Sequence, residues 1–387
     1  MSGTNRASEV LGASRAMASM AGGWLLSEVP PHVLSAEAVS RMSVGPVRTV
    51  ARSVAAQRAD VVLHRALRGG FGPGYADLVV HPRTPKRADK PSGLLTVARY
   101  RRRYAADTAD IAYGDAGPAH LLDVWRRPDL PPANPAPVLM HIPGGAWSVN
   151  DKRGQGYALM AAMAERGWVC VSVNYRRSPH HAWPAHIIDV KRALAWVKTN
   201  IADYGGDPEF VAATGGSAGG HLAALAALTP NEPDLQPGFE GVDTTVHAAA
   251  PMYGVFDLTD SRLMHPQMMP FLESKVLQAP LAQNRDLFEK ASPVHHVTAD
   301  APPFFVLHGQ KDTVVPAGQS RTFCAALHGV GARRVLHAEL PNAHHMFDVV
   351  AGVRSHLVAQ SVATFFGVVY GEHLAAASRL RMARAAY

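Results

Sequence analysis

The pentapeptide Gly215-Gly216-Ser217-Ala218-Gly219 sets one hydroxyl between two glycines, each two residues away. The apolar run Phe210-Val211-Ala212-Ala213 leads into it, and a mostly apolar run from His221 to Leu228 follows. A strand that turns straight into a helix strains the corner residue and lifts its side chain above the sheet. Glycines on either side let the two backbone arms pass closely, because neither carries a Cβ. The free N–H groups that open the helix face any negative charge developing beside the hydroxyl. This arrangement suits nucleophilic attack by Ser217 on a carbonyl carbon, with transient capture of the acyl group. A phosphate loop is excluded, since no Gly-Lys-Ser/Thr ending follows and the glycine spacing is wrong. A turn of small residues can also merely pack a helix on a sheet; the strand before and the helix after favour the nucleophile.

A serine hydroxyl attacks poorly until an imidazole takes its proton, and the imidazole needs a carboxylate to hold its tautomer. Behind an elbow of this kind the acid comes first in the chain and the histidine second. Asp312 suits the acid: it lies four residues past an expected strand, Phe304 to His308, in the loop that runs to Pro316. An aspartate there could also cap a helix beginning near Pro316. A further expected strand, Val335 to Leu340, runs into Pro341-Asn342-Ala343-His344-His345-Met346-Phe347, and either imidazole could face the serine. His180-His181 and His295-His296 lack the helical spacing or cysteine partners of a metal site. Backbone donors must also meet the developing oxyanion. One is the N–H of Ala218, and the others belong to Ile142-Pro143-Gly144-Gly145-Ala146-Trp147, where small residues allow close approach.

These residues need a sheet to carry them. Expected strands at Leu121–Trp125, Val138–Ile142, Trp168–Asn174, Phe210–Ala213, Val246–Met252, Phe304–His308 and Val335–Leu340 alternate with helical stretches near 156–166 and 187–204. That rhythm predicts a mostly parallel α/β sheet with helices on both faces and its chemistry at the carboxyl ends of the strands. Residues 1–95 read as a basic helical segment, suited to a cap or to surface association, broken at Pro30-Pro31, Gly69-Gly70 and Gly72-Pro73-Gly74. Residues 96–372 read as the catalytic domain, with a cap insertion at about 257–303 and a tail at 373–387. Within the insertion Met264, Met268, Met269, Phe271 and Leu272 suit either an adaptable acyl pocket or ordinary core.

Of the 387 residues, 47% are hydrophobic and 18% charged, which is globular composition. The net charge of +7 is uneven: residues 1–105 hold 16 Lys and Arg against 6 Asp and Glu, the remainder 22 against 25. The basic segment is therefore either a solvated helical face or a surface for anionic lipid, and no nucleic-acid-binding signature accompanies it. Only Cys170 and Cys324 occur, so no disulfide framework is implied and a reducing, cytoplasmic compartment is compatible. No apolar stretch reaches the roughly 18–20 residues of a membrane span. Ala16 to Leu26 is short and lacks the pattern of a secretory signal.

From Tyr113 to Phe366 the chain resembles the hormone-sensitive-lipase-like and related carboxylesterase branches of the α/β-hydrolases. The resemblance is carried by Ile142–Trp147, Asn174-Tyr175-Arg176, Tyr204-Gly205-Gly206-Asp207-Pro208, Gly215–Gly220, His308–Pro316 and His345–Phe347. It selects His345 over His344, since the family's histidine stands two residues before a phenylalanine. It implies oxyanion donors at Gly145, Ala146 and Ala218, with Gly144 as their neighbour. The family's His-Gly-Gly-Gly is Pro143-Gly144-Gly145-Ala146 here, so the loop lacks the histidine that usually shapes it. The resemblance further implies a serine carboxylesterase for short- to medium-chain esters, needing neither metal nor organic cofactor, with a small-molecule or lipid ester as substrate. An arylformamidase-type amidase and a lipase are neighbouring readings. A non-catalytic binder, like the plant hormone receptors of this branch that have lost the histidine, is disfavoured because all three triad positions are filled.

Overall fold

Runs rich in Val, Ala, Leu and Met form one sheet of eight strands in the computed structural model, which describes residues 46–84, 95–105, 107–129, 135–349 and 352–385. The strands are β1 (Ile111–Ala112), β2 (Leu121–Trp125), β3 (Ala136–Ile142), β4 (Val169–Val173), β5 (Gly206–Gly216), β6 (Ala248–Met252), β7 (Phe304–Gly309) and β8 (Val335–Leu340). Their order across the sheet is β1-β2-β4-β3-β5-β6-β7-β8. Only the β1–β2 and β2–β4 pairs are antiparallel. The seven expected strands are present; β1 is additional, too short to leave a pattern, and β5 begins four residues earlier than its apolar run, at Gly206.

Strands β3, β4, β6 and β7 are buried along their whole length, as expected when both faces of a parallel sheet are covered. Alternate residues feed two cores. Val138, Met140 and Ile142 of β3 join one and Leu139 the other, following the two-residue period of a strand. The first core is closed by α4 (Ala185–Asn200), α5 (Ala218–Leu228) and α8 (Gly318–Gly329), and the second by α1 (Pro46–Phe71), α3 (Tyr157–Glu165) and α9 (Val353–Ala385). The remaining helices are α2 (Leu95–Tyr104), α6 (Met268–Phe271) and α7 (Arg285–Lys290).

Helix α1 corrects one expectation. It runs unbroken through Gly69-Gly70 and ends at Phe71, with Gly72 left-handed at φ +90° just beyond. Gly70 is a packing glycine, because a Cβ there would lie 2.4 Å from a methyl of Leu336 on β8. Ala59, Leu63 and Leu67 of α1 are buried in the second core, so this part of the N-terminal segment belongs to the folded body. Pro30-Pro31 lies outside the described residues. The basic run near residue 100 is partly committed: Arg101 pairs with buried Asp123 at 3.4 Å and Arg103 with Glu165 at 3.0 Å. In the 257–303 stretch Met264 is buried, and half-buried Met268, Met269 and Phe271 pack on the first core. Through Ala385, residues from 373 onward form the last turns of α9. No described helix is long and apolar enough to cross a membrane.

Candidate active site

Strand β5 stops at Gly216 and α5 starts at Ala218, leaving Ser217 alone at the corner with φ +57° and ψ −122°. This backbone is strained for any residue with a Cβ, by about 1–3 kcal/mol, and the Ser217 N–H donates to Met252 O at 2.9 Å. The elbow glycines are required by the crossing beneath it. A Cβ on Gly215 would lie 2.4 Å from Ile142 O, and one on Gly219 2.0 Å from the same oxygen.

The strand-end loops bring the expected side chains to that corner. His345 Nε2 lies 2.9 Å from Ser217 Oγ, and its Nδ1 lies 2.6 Å from Asp312 Oδ2. With Nδ1–H donated to the carboxylate, Nε2 is left to accept the serine proton. His345, not its neighbour His344, occupies this position. Asp312 is buried, and its Oδ1 accepts the N–H groups of Val314 and Val315, each at 2.9 Å. The turn-capping role and the histidine-facing role are thus filled by different oxygens of one carboxylate. Burial pushes the Asp312 carboxyl up, but His345 and His308 outweigh it and hold it well below the usual carboxylate range.

The loop after β3 runs through three consecutive residues of positive φ: Gly145 at +127°, Ala146 at +50° and Trp147 at +55°. A Cβ on Gly145 would lie 2.2 Å from Val149 O. Gly144, grouped with the oxyanion residues by the sequence, does not offer a free donor: its N–H is taken by buried Gln155 Oε1 at 2.8 Å. The N–H groups of Gly145 and Ala146 donate to no other group among the described residues. Ala218 opens α5, where the helix has no partner for the N–H.

Side chains from four directions replace the missing loop histidine. Tyr175 Oη donates to Pro143 O at 2.9 Å, and Asn150 Nδ2 to Gly144 O at 3.2 Å. Gln155 holds Gly144, as above. Buried Trp147 donates its indole N–H to His221 Nδ1 at 3.1 Å, which leaves His221 Nε2–H to donate to Ala291 O at 2.7 Å. Burial pushes the His221 imidazole down to about 4, so the ring is a neutral strut. Sequence reasoning missed Asn150, Gln155 and His221 as supports. Tyr175 stood in a resembling segment, but nothing in spacing connects these side chains to one loop. Among the described residues no group of three potential metal ligands gathers.

A comparison with protein families matches the BD-FAE family over residues 122–327. Esterase LipQ of Mycobacterium tuberculosis is 56% identical over 92% of this chain and 85% of its own length. A probable carboxylic ester hydrolase of the same organism, LipM, is 49% identical over 89% and 83%. Among solved structures, a thermophilic esterase from Thermogutta terrifontis covers 71% of this chain and 97% of its own, with 26% identity and a TM-score of 0.59. The chain belongs to the BD-FAE family and is a carboxylic ester hydrolase of the α/β-hydrolase fold.

Proposed function

We propose that this esterase works through a Ser217-His345-Asp312 triad on short- to medium-chain carboxylic esters. The observation that carries the reading is the unbroken line Asp312 Oδ2, His345 Nδ1, His345 Nε2, Ser217 Oγ, at 2.6 and 2.9 Å, ending on a strained elbow. Ser217 Oγ attacks the ester carbon while its proton passes to His345 Nε2. The carbonyl oxygen gains the negative charge and is met by the N–H groups of Gly145, Ala146 and Ala218. His345 then protonates the departing alkoxide, leaving an acyl-serine. Water gives a proton to the same nitrogen, attacks the acyl carbon and releases the acid, and the proton returns to Ser217.

The segment 257–303 is assigned the role of cap, with Met268, Met269 and Phe271 as an adaptable apolar wall for the acyl chain. Two buried free thiols, Cys170 and Cys324, suit a reducing cytoplasm. Contact with an anionic membrane surface is assigned to the basic N-terminal segment, residues 1–95. Its test is sedimentation with anionic vesicles of the full chain beside a variant carrying Arg58→Gln, Arg65→Gln and Arg68→Gln on the exposed side of α1: equal binding would remove the assignment. A cut at residue 95 would delete α1 from the core and decide nothing.

The catalytic proposal is tested with p-nitrophenyl esters from acetate to palmitate, beside Ser217→Ala. Turnover that peaks at short or medium chains and vanishes in the variant supports it. Turnover that survives the substitution would sink the triad. Activity on formamides alone would move the reaction to the amidase class.

A further inference from the structure

Tyr253 follows β6 and is fully buried, with its backbone in the left-handed region at φ +40°. Its N–H donates to Leu307 O at 2.7 Å, which ties the strained residue to β7. The ring stands 4.7 Å from the His345 ring, at 64° between planes, and 5.0 Å from Phe347 at 79°. The phenol hydroxyl donates to Asp348 Oδ1, three residues beyond His345 on the same loop. Gly216 makes room for that hydroxyl, because a Cβ there would lie 2.2 Å from it. The middle glycine of the elbow is thus explained by Tyr253, whereas Gly215 and Gly219 are explained by the close crossing at Ile142.

We infer that Tyr253, clamped through its hydroxyl to Asp348, is a positioning residue that fixes the plane of the His345 imidazole. The inference rests on the triad reading above. An imidazole hydrogen-bonded at both ends can still turn about the line joining its partners, and each turn swings the ring plane, so that its N–H and lone pair no longer point straight at them. A ring packed edge-to-face against it removes that freedom. The hydroxyl bond to Asp348 in turn fixes the tyrosine to the loop that carries His345, so ring and imidazole move as one body. The groups that face His345 are Ser217 from the elbow, Asp312 with His308 behind it from β7, Tyr253 from β6, and Asp348 from its own loop.

Tyr253→Phe keeps the ring and removes the donor of the clamp, and Asp348→Ala removes its acceptor, whereas Asp348→Asn keeps an oxygen that accepts from the phenol. The first two should each lower kcat on p-nitrophenyl butyrate by about tenfold, the scale of a small misplacement of a catalytic group, with KM within twofold of wild type, and Asp348→Asn should restore most of that loss. Melting temperature is measured alongside, and should Asp348→Ala not fold, Tyr253→Phe alone decides. Unchanged kcat in Tyr253→Phe overturns the inference. So does a loss of activity that follows melting temperature, or one that falls on KM as much as on kcat. Ser217→Ala separates the two failures: an active alanine variant would refute the triad, and a dead one beside a normal Tyr253→Phe would refute only the clamp.

Discussion

The proton relay and the oxyanion loop meet at one serine, yet they are held in different ways. Each member of the relay is placed by its own turn. Ser217 sits at a strand-to-helix corner, Asp312 is fixed by the two backbone N–H groups that follow it, and His345 lies a few residues past β8. The oxyanion loop has a turn of its own, with the N–H groups of Ser148 and Val149 both donating to Gly145 O at 2.9 Å, but it is braced in addition by side chains from other elements. Gly144 is held by Gln155 from the approach to α3, Pro143 by Tyr175 from the end of β4, and left-handed Trp147 by His221 from α5. Groups that react are thus set first by the backbone around them, with Tyr253 added at His345, whereas groups that only orient hydrogen bonds depend more on distant side chains. Damage to the first should abolish chemistry. Damage to the second should be graded.

The largest expected effect is on the relay. Ser217→Ala should lower kcat by about 10⁶, and Asp312→Asn by about 10⁴ through the wrong imidazole tautomer, both read as turnover of p-nitrophenyl butyrate. In the loop, Gly145→Ala forces a Cβ onto Val149 O at a φ of +127°. It should remove one or both loop donors and lower kcat by about 10²–10³, with KM little changed. A smaller loss from Ser217→Ala than from Gly145→Ala would reverse the comparison.

The same division decides what was legible in the sequence. Ser217, Asp312 and the pair His344-His345 are chemically reactive types beside strand ends, so type and position sufficed to single them out. Choosing His345 needed the resemblance, because both imidazoles sit in one loop. Seven strands were legible as apolar runs, most of them because a parallel strand covered on both faces is apolar throughout. The two-residue β1 was not, and neither was the unbroken course of α1 through Gly69-Gly70, where Leu336 fills the space above the glycine. Why Gly144 offers no donor was not legible for a related reason. Which N–H is free depends on an acceptor eleven residues away, Gln155, that no local pattern marks.

Acid should separate the two regions through stability. Burial pushes His221 and His141 down to about 4 and His186 to about 3, against an ordinary 6.5 in the unfolded chain. Between pH 6.5 and 4 the unfolded chain therefore binds protons that these rings refuse, and stability falls as pH falls. Each such ring is worth up to about 3 kcal/mol across that window. Asp312 has the opposite history: its folded carboxyl is held below the unfolded value of 3.8, so its contribution persists through this window and is lost only below it. Melting temperature measured from pH 7.5 to 4 should decline over the histidine window. His221→Gln should flatten that decline, and an equally steep decline in the variant would show that the loop strut is not its source.

The smallest effect belongs to a single prop of the loop. Gln155→Leu frees the Gly144 N–H, while Tyr175, Asn150 and the Trp147–His221 bond remain. With several restraints in parallel, removing one widens the range of donor positions without deleting a donor. The expected loss in kcat is about tenfold, well under that of a missing oxyanion donor, and KM should stay within twofold because the ground-state ester does not need the hole. Tyr175→Phe should behave alike. The double variant should lose more than the product of the two single losses, since restraints that share one loop substitute for one another until the last is gone. Simple multiplication of the two effects would mean that Gln155 and Tyr175 act on separate parts of the loop. A fall of 10⁴ from Gln155→Leu alone would place that residue with the relay and erase the distinction between the two regions.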